Sequence, residues 1–299
     1  AFSDDSKTAA IVEVNSETDF VSKNEEFVEF VENLAKLALT AESNDIEAFK
    51  AMSFEDSTVQ DVLTAKIAKI GENMSIRRIE KASGDVVTSY IHGGGRIGVI
   101  VDADTDVVND TVKEAMHNIA MQIAAMNPQY ISRADMADEE VAKLREITVD
   151  SALNDPASLP KPILNKLIEK AVAGVWSAED VAIYEEKKSN MQYLFNFLSK
   201  EAAAQLAELA LADEANIVAD KIFNGLVEGR VSKQLKEICL MDQVYVKAED
   251  GKQSVAKYLE SVSKDLTITE MVRFEVGEGM EKKQEDFAAE VAAQMNAGH

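Results

Sequence analysis

"VEVNSETDFV", residues 12–21, holds the change of period on which the fold turns. Leading into it, Ala10-Ile11-Val12-Glu13-Val14 alternates and carries β-branched side chains, which predicts a strand with Ile11 packed inward. Beyond it, Phe27, Phe30, Val31 and Leu34 recur at i, i+3, i+4 and i+7, one apolar stripe of an amphipathic helix. Two start signals compete for that helix: Thr18 as its cap, or Ser22 with Glu25 completing a capping box. Under either choice Phe20 lies outside the stripe. It reads as a staple or plug under the turn, or as an aromatic that projects into the pocket of another protein.

The same pattern returns. "VIVDADTDVV", residues 99–108, aligns without gaps at an offset of 87, so that Val12, Val14, Thr18, Asp19 and Val21 are answered by Val99, Val101, Thr105, Asp106 and Val108. The helical stripe follows at an offset of 85, with Val112, Ala115, Met116 and Ile119. Strand, turn and helix agreeing in order predicts a duplicated subdomain. Inside the repeat Phe20 is answered by Val107; a structural plug would want similar bulk in both copies, so the difference favours a particular task for Phe20.

Between the copies, "AKIAKIGENMSIRRIE" (65–80) reads as a helix ending in a turn at Gly71 and then a strand over 74–79. In "VVTSYIHGGGRIGVIVDAD" (86–104) the glycines 93–95 separate two strand-like runs, which predicts a hairpin. A phosphate-cradling loop would instead join a strand to a helix and end in Lys-Ser/Thr. Prolines 156, 160 and 162 mark a break, and from about 133 to 240 the chain reads as almost wholly helical. A wide stripe of Ile163, Leu164, Leu167, Ile168, Ala171, Val172 and Val175 suits a helical hairpin or small bundle inserted into an α+β domain. Strands are predicted again over 243–250 and 271–277, with helices over 255–262 and 281–295, the last carrying Phe287, Val291 and Met295 on one face. The fold class expected is α+β, divided into a first core subdomain (1–85), a second (86–132 and 241–280), the helical insertion (133–240) and a C-terminal helical module (281–299).

Composition narrows the function. Among 299 residues, 54 acids against 31 Lys and Arg give a net charge of −23, which repels phosphate backbones and anionic lipid. A protein or a small molecule is the expected partner, not nucleic acid or a membrane. The single cysteine, Cys239, reads as a small buried hydrophobe and suits a reducing cytosol. No apolar run reaches the roughly 18–20 residues that span a bilayer, and no charged-then-apolar leader opens the chain, so a cytoplasmic location is expected. The chain begins at Ala1 without a methionine, which leaves room for a segment removed upstream.

No HExxH, CxxC, phosphate-loop lysine or GxSxG elbow occurs, and the histidines at 92, 117 and 299 are scattered. Pairs such as Glu25-Glu26 and Glu139-Glu140 read as solvated faces, so neither catalytic residues, a metal nor a cofactor is expected. His92, beside the glycines, is the polar residue of most interest, with a turn or core histidine as the plainer alternative.

"VEVNSETDFVSKNEEF", "KIGENMSIRR", "SYIHGGGRIGV", "VEGRVSK" and "RFEVGEGMEKKQEDFAAEVAAQ" occur in the order found in the bacterial elongation factor Ts family, which the chain resembles over roughly residues 8–150 and 213–297. The resemblance implies a guanine nucleotide exchange factor for elongation factor Tu, the GTPase that delivers aminoacyl-tRNA to the ribosome. In that family the phenylalanine of the TDFV motif enters a pocket between two helices of the GTPase domain. Its intrusion shifts the elements that hold Mg²⁺ and disturbs the phosphate-binding loop, so GDP leaves. Carried onto this chain, the motifs assign partner contacts to Thr18, Asp19, Phe20 and Val21, to Ile70 and Gly71, to His92, to Val246 and to Phe287. The family usually begins with a small three-helix domain that nothing here matches, and the helical stretch 151–212 is longer than the usual hairpin. Some members self-associate through that hairpin, so a homodimer through the insertion is a further expectation. Two other readings stand beside exchange: a module that binds elongation factor Tu without efficient exchange, and a small-molecule enzyme on an unrelated α+β fold.

Overall fold

A computed structural model describes residues 1–280. The chain opens with β1 (Thr8–Ser16), the single-turn α1 (Asp19–Ser22), α2 (Glu25–Ala38) and α3 (Ile46–Lys50). A minimal hairpin of β2 (Ser53–Phe54) and β3 (Ser57–Thr58) leads to α4 (Val59–Ile70), β4 (Met74–Ser83), β5 (Val86–His92), β6 (Ile97–Asp104) and α5 (Asp110–Met126). Six helices follow: α6 (Asp138–Asn154), α7 (Lys161–Gly174), α8 (Ala178–Lys187), α9 (Lys200–Ala212), α10 (Glu214–Ala219) and α11 (Lys221–Ile238). Then α12 (Val255–Val262) and β7 (Thr267–Glu275) complete the described chain. Among the described residues two compact units result, one of residues 1–127 and 257–280, the other Pro128–Ala256. The architecture mixes helices with small antiparallel sheets, as α+β requires.

In the first unit β1 pairs antiparallel with β4, and β5, β6 and β7 form a separate antiparallel sheet with β6 central. Alternation sends Ala10 and Val14 of β1, with Ile76 and Ile79 of β4, into a core with Phe27, Phe30 and Leu34 of α2. Ala9 and Ile11 point the other way and meet Ala82, Val87, Ile100 and Phe274. The β1–β4 ribbon is therefore a middle layer, apolar on both faces. Close approach of the layers is written into Gly98, where an added Cβ would stand 2.8 Å from Ile11 Cδ1.

Of the two competing start signals, the capping box at Ser22 is not formed. Thr18 caps α1, Ser22 lies inside that turn with its hydroxyl donating to the Asp19 carbonyl, and Asn24 caps α2 by accepting from the Glu26 and Phe27 amides. Asn24 takes extended backbone angles that separate the two helices, and a short amide side chain is well suited to such a cap. The predicted glycine hairpin is present: Gly93, Gly94 and Gly95 all have positive φ between His92 and Ile97, the last residue pair of the ladder.

Asp102 sits poorly in this packing. It is fully buried on the face of β6 that carries Ile100; one oxygen accepts from the Thr269 hydroxyl at 2.6 Å, and the other has no partner among the described residues. Burial pushes its carboxyl above the ordinary range, and Glu270, opposite it in register, is raised by burial and by Asp102's charge. A carboxyl whose folded pKa is raised destabilises the fold above that pKa and ceases to do so as pH falls through it. Asp102→Asn is therefore expected to stabilise by about 1–3 kcal/mol at about pH 8, with the gain shrinking at about pH 5, in paired urea melts.

The second unit is a helical bundle around Leu153, Leu164, Leu167, Ile168, Trp176, Leu206, Phe223 and Val227. The Trp176 indole donates to the Ala202 carbonyl, so its one polar atom is satisfied in the core. Asp180 joins two helix starts: it accepts from the Ser177 hydroxyl and from both the amide and hydroxyl of Ser199, the residues that cap α8 and α9.

The strand predicted over 243–250 is replaced by a turn-rich loop with one bridge, Val244 to Ser254. Asp250 accepts from the Lys252 and Gln253 amides and Gly251 takes a left-handed φ, so the chain reverses before a ladder can extend. The final helix predicted over 281–295 lies outside the described residues. No helix among the described residues is long and apolar enough to cross a membrane.

Candidate functional site

Phe20 is 89% exposed, an extreme value for a phenylalanine. The turn that carries it is nonetheless fixed from two sides. Val21, the next residue, is buried in the core with Phe27 and Phe30 and anchors α1 from below. On the other side Glu72 grips the turn with both carboxylate oxygens, accepting from the Thr18 amide at 3.1 Å and the Thr18 hydroxyl at 2.7 Å. The same hydroxyl oxygen faces the Val21 amide as the helix cap. Consecutive helical residues diverge by about 100°, so burying Val21 leaves Phe20 pointing away from the core.

Glu72 belongs to the KIGEN segment, and the contact brings that segment against the TDFV turn. Gly71 ends α4 with φ +81°, its amide donating to the Ile67 carbonyl, while half-buried Ile70 packs on the Phe27 core. Thr18, Asp19, Phe20, Val21, Ile70 and Gly71 are thus gathered into one corner. Sequence reasoning passed over Glu72 itself; its place inside a motif, two residues after a helix-ending glycine, was the available signal. Glu72→Ala is expected to leave the fold intact, speed amide exchange at Thr18–Val21, and weaken any activity carried by Phe20 roughly three- to ten-fold, equivalent to about 1 kcal/mol of turn ordering. Mass-resolved hydrogen exchange measures the first effect directly.

His92 is exposed at the end of β5, where its Nδ1 lies 3.0 Å from the Tyr90 hydroxyl; Tyr90 in turn meets His117 edge-on. The ladders place this hairpin tip beside the ends of the other strands: His92 pairs with Ile97, Ile97 with Glu275, and Ser16 with Met74. Asn15 reaches Met280, and the Val276 amide donates to the Arg96 carbonyl. The Phe20 turn, the Gly71 turn and the His92 hairpin therefore share one end of the first unit, along with exposed Ile91, Val276 and Met280. Val246 is half exposed in the loop of the second unit, and Phe287 lies outside the described residues.

Among the described residues no group of three His, Cys, Asp or Glu is placed to hold a metal ion. Cys239 is buried, and burial raises its thiol pKa, as expected of a small core residue rather than a nucleophile. An open hollow of about 650 Å³ in the first unit is lined by Phe2, Lys7, Asp85, Thr105 and Lys113 among others, and by none of the residues gathered around Phe20.

A large aromatic held in solvent on a braced turn is the build of a docking element, because the cost of ordering it is met before any partner arrives. Comparison with known proteins gives that build its family. The family described as "Elongation factor TS" matches residues 17–278, a span that runs through the helical stretch 151–212. Elongation factor Ts of Clostridium novyi (strain NT) is 39% identical over 303 residues, covering 98% of this chain and 78% of that protein. Elongation factor Ts of Clostridium perfringens (strain 13 / Type A) is 39% identical over 297 residues, covering 97% and 77%. That of Clostridioides difficile (strain 630) is 36% identical over 296 residues, covering 98% and 78%. The chain belongs to the elongation factor Ts family, whose members are translation elongation factors.

Proposed function

We propose that this chain is a guanine nucleotide exchange factor that binds elongation factor Tu and promotes GDP release during translation elongation. The observation that carries the reading is Phe20, 89% exposed on a turn braced by Val21 and Glu72. Family membership supplies the partner, and the absence of a catalytic constellation among the described residues costs the reading nothing. An exchange factor need do no covalent chemistry; it binds the nucleotide-free GTPase more tightly than the GDP form and by linkage weakens GDP by the same factor. In this reading Thr18, Asp19, Phe20, Val21, Ile70, Gly71 and His92 form the contact surface of the first unit, with Val246 and Phe287 adding contacts from elsewhere in the chain. Val21 contributes by holding the turn. The duplicated strand–helix plan belongs to the same reading, as do action in the cytoplasm and self-association through the helical unit.

Calorimetry distinguishes exchange from mere holding. Titrated into elongation factor Tu, the chain is expected to bind the nucleotide-free form at least ten-fold more tightly than the GDP form. Equal affinity for the two would make it a binding module without exchange activity.

A further inference from the structure

Glu13 is buried between the β1–β4 ribbon and the β5–β6–β7 sheet, with only 3% of its surface exposed, and yet it is fully engaged. The register of the ribbon shifts at this point: Glu13 stands opposite Arg78 and Val14 opposite Ile76, so Arg77 is the extra residue of a bulge. The bulge lets both guanidinium groups reach the one carboxylate, Arg77 at 3.1 Å and Arg78 at 2.5 Å. The third partner comes from another part of the chain. The Gly277 amide, just past β7, donates to Glu13 Oε1 at 3.1 Å.

Arg78 continues the linkage. It lies over the Phe274 ring at 4.1 Å, donates to the Glu275 carbonyl and pairs with Glu278. Gly277 and Gly279 both have positive φ, so the 276–280 turn has little conformational preference of its own toward this arrangement. Burial opposes the charge on Glu13, but the Gly277 amide and the Arg78 and Arg77 guanidiniums together outweigh it and hold the carboxyl below its ordinary range. Every acceptor direction of the carboxylate is used, and every partner lies on either β4 or the turn after β7.

The strands that meet at Glu13 lead directly to the proposed contact surface. β1 runs on from Glu13 to the Thr18–Val21 turn; β4 follows Glu72, which grips that turn; the turn after β7 carries exposed Val276 and Met280, the latter reached by Asn15. We propose that Glu13 is a positioning residue for nucleotide exchange, a buried anionic node that fixes the 275–280 turn to the strands bearing Phe20, so that Phe20 and the exposed Val276 and Met280 meet the GTPase at a set spacing. This rests on the exchange reading above and adds to it a residue that touches no partner.

The test is Glu13→Gln, which keeps the volume and an acceptor for Gly277 but removes the charge that holds two guanidiniums. Two measurements are made on the full chain: amide exchange over 275–280 with no GTPase present, and the rate of labelled GDP release from elongation factor Tu at saturating chain. Exchange over 275–280 is expected to rise roughly ten-fold while that of Thr18–Val21 stays as in the parent, and the saturating release rate is expected to fall roughly ten-fold, with half-saturation changed less. A merely structural role predicts a lower melting temperature with the saturating rate intact, and that result overturns the proposal. Unchanged protection over 275–280 overturns it as well. If Glu13→Gln does not fold, Arg78→Lys keeps the carboxylate paired and is expected to shift both readouts in the same directions by a smaller factor; no shift in either contradicts the proposal. If the parent chain itself fails to speed release, the exchange reading has failed, and the amide measurement still decides whether Glu13 holds the turn.

Discussion

Phe20→Ala is expected to leave the chain as stable as its parent and to remove most of its effect on GDP release. The ring is 89% exposed and makes no core contact, so the change in folding free energy should stay within about 0.5 kcal/mol. Under the exchange reading its worth is realised in the complex. Burying a phenylalanine side chain supplies about 1.5–3 kcal/mol, equivalent to a ten- to hundred-fold change in an equilibrium constant. The stimulated release rate should fall by that order in stopped-flow experiments with a fluorescent GDP analogue, while urea melts superimpose. Asp19 and Thr18 stay in place in the variant, so residual stimulation measures what the rest of the surface contributes. A variant with full activity would move the wedge to another side chain.

Phe30→Ala should do the reverse. Ten residues along from Phe20, Phe30 is 2% exposed, packed with Phe27 and Leu34, tilted against Phe54 at 6.0 Å and covered by the Lys66 ammonium at 5.3 Å. Removing the ring forfeits transfer energy and leaves a cavity that helix and ribbon cannot close, at a cost of about 3–5 kcal/mol. Against the usual total of about 5–15 kcal/mol, that is a large share of the stability of the first unit. Equilibrium urea melts followed by circular dichroism should show the midpoint fall accordingly, and activity should recover with the folded fraction as denaturant is withdrawn. Two phenylalanines ten residues apart thus separate the proposed function from stability.

How much of this was legible in the sequence depended on the range of the interactions. The α2 stripe and the glycine hairpin were readable because periods and turn residues act locally. The burial of β1 on both faces was not, since the second face is supplied by Ile100 and Phe274, far along the chain, and alternation cannot name a partner. Val12 and Glu13 show the difficulty: a buried glutamate in an alternating strand looks like a solvent-facing residue until Arg77, Arg78 and Gly277 are brought to it. Around residue 250, β-branched residues suggested a strand where the Asp250–Gly251 reversal prevails. Ser22 lost the α2 cap to Asn24 because a separate one-turn helix intervenes, and short helices leave too few residues for a period to register. At the site, its position outside the helical stripe and its unequal counterpart Val107 marked Phe20 as unusual. The brace from Glu72 became visible only once the two motifs stood side by side.

The most direct test of the central claim is the rate of fluorescent GDP release from elongation factor Tu as the concentration of this chain is raised. A rate that climbs and saturates, well above spontaneous release, is the expected result. A rate that stays at the spontaneous value while calorimetry records binding would contradict exchange activity and leave a protein that holds the GTPase without opening it.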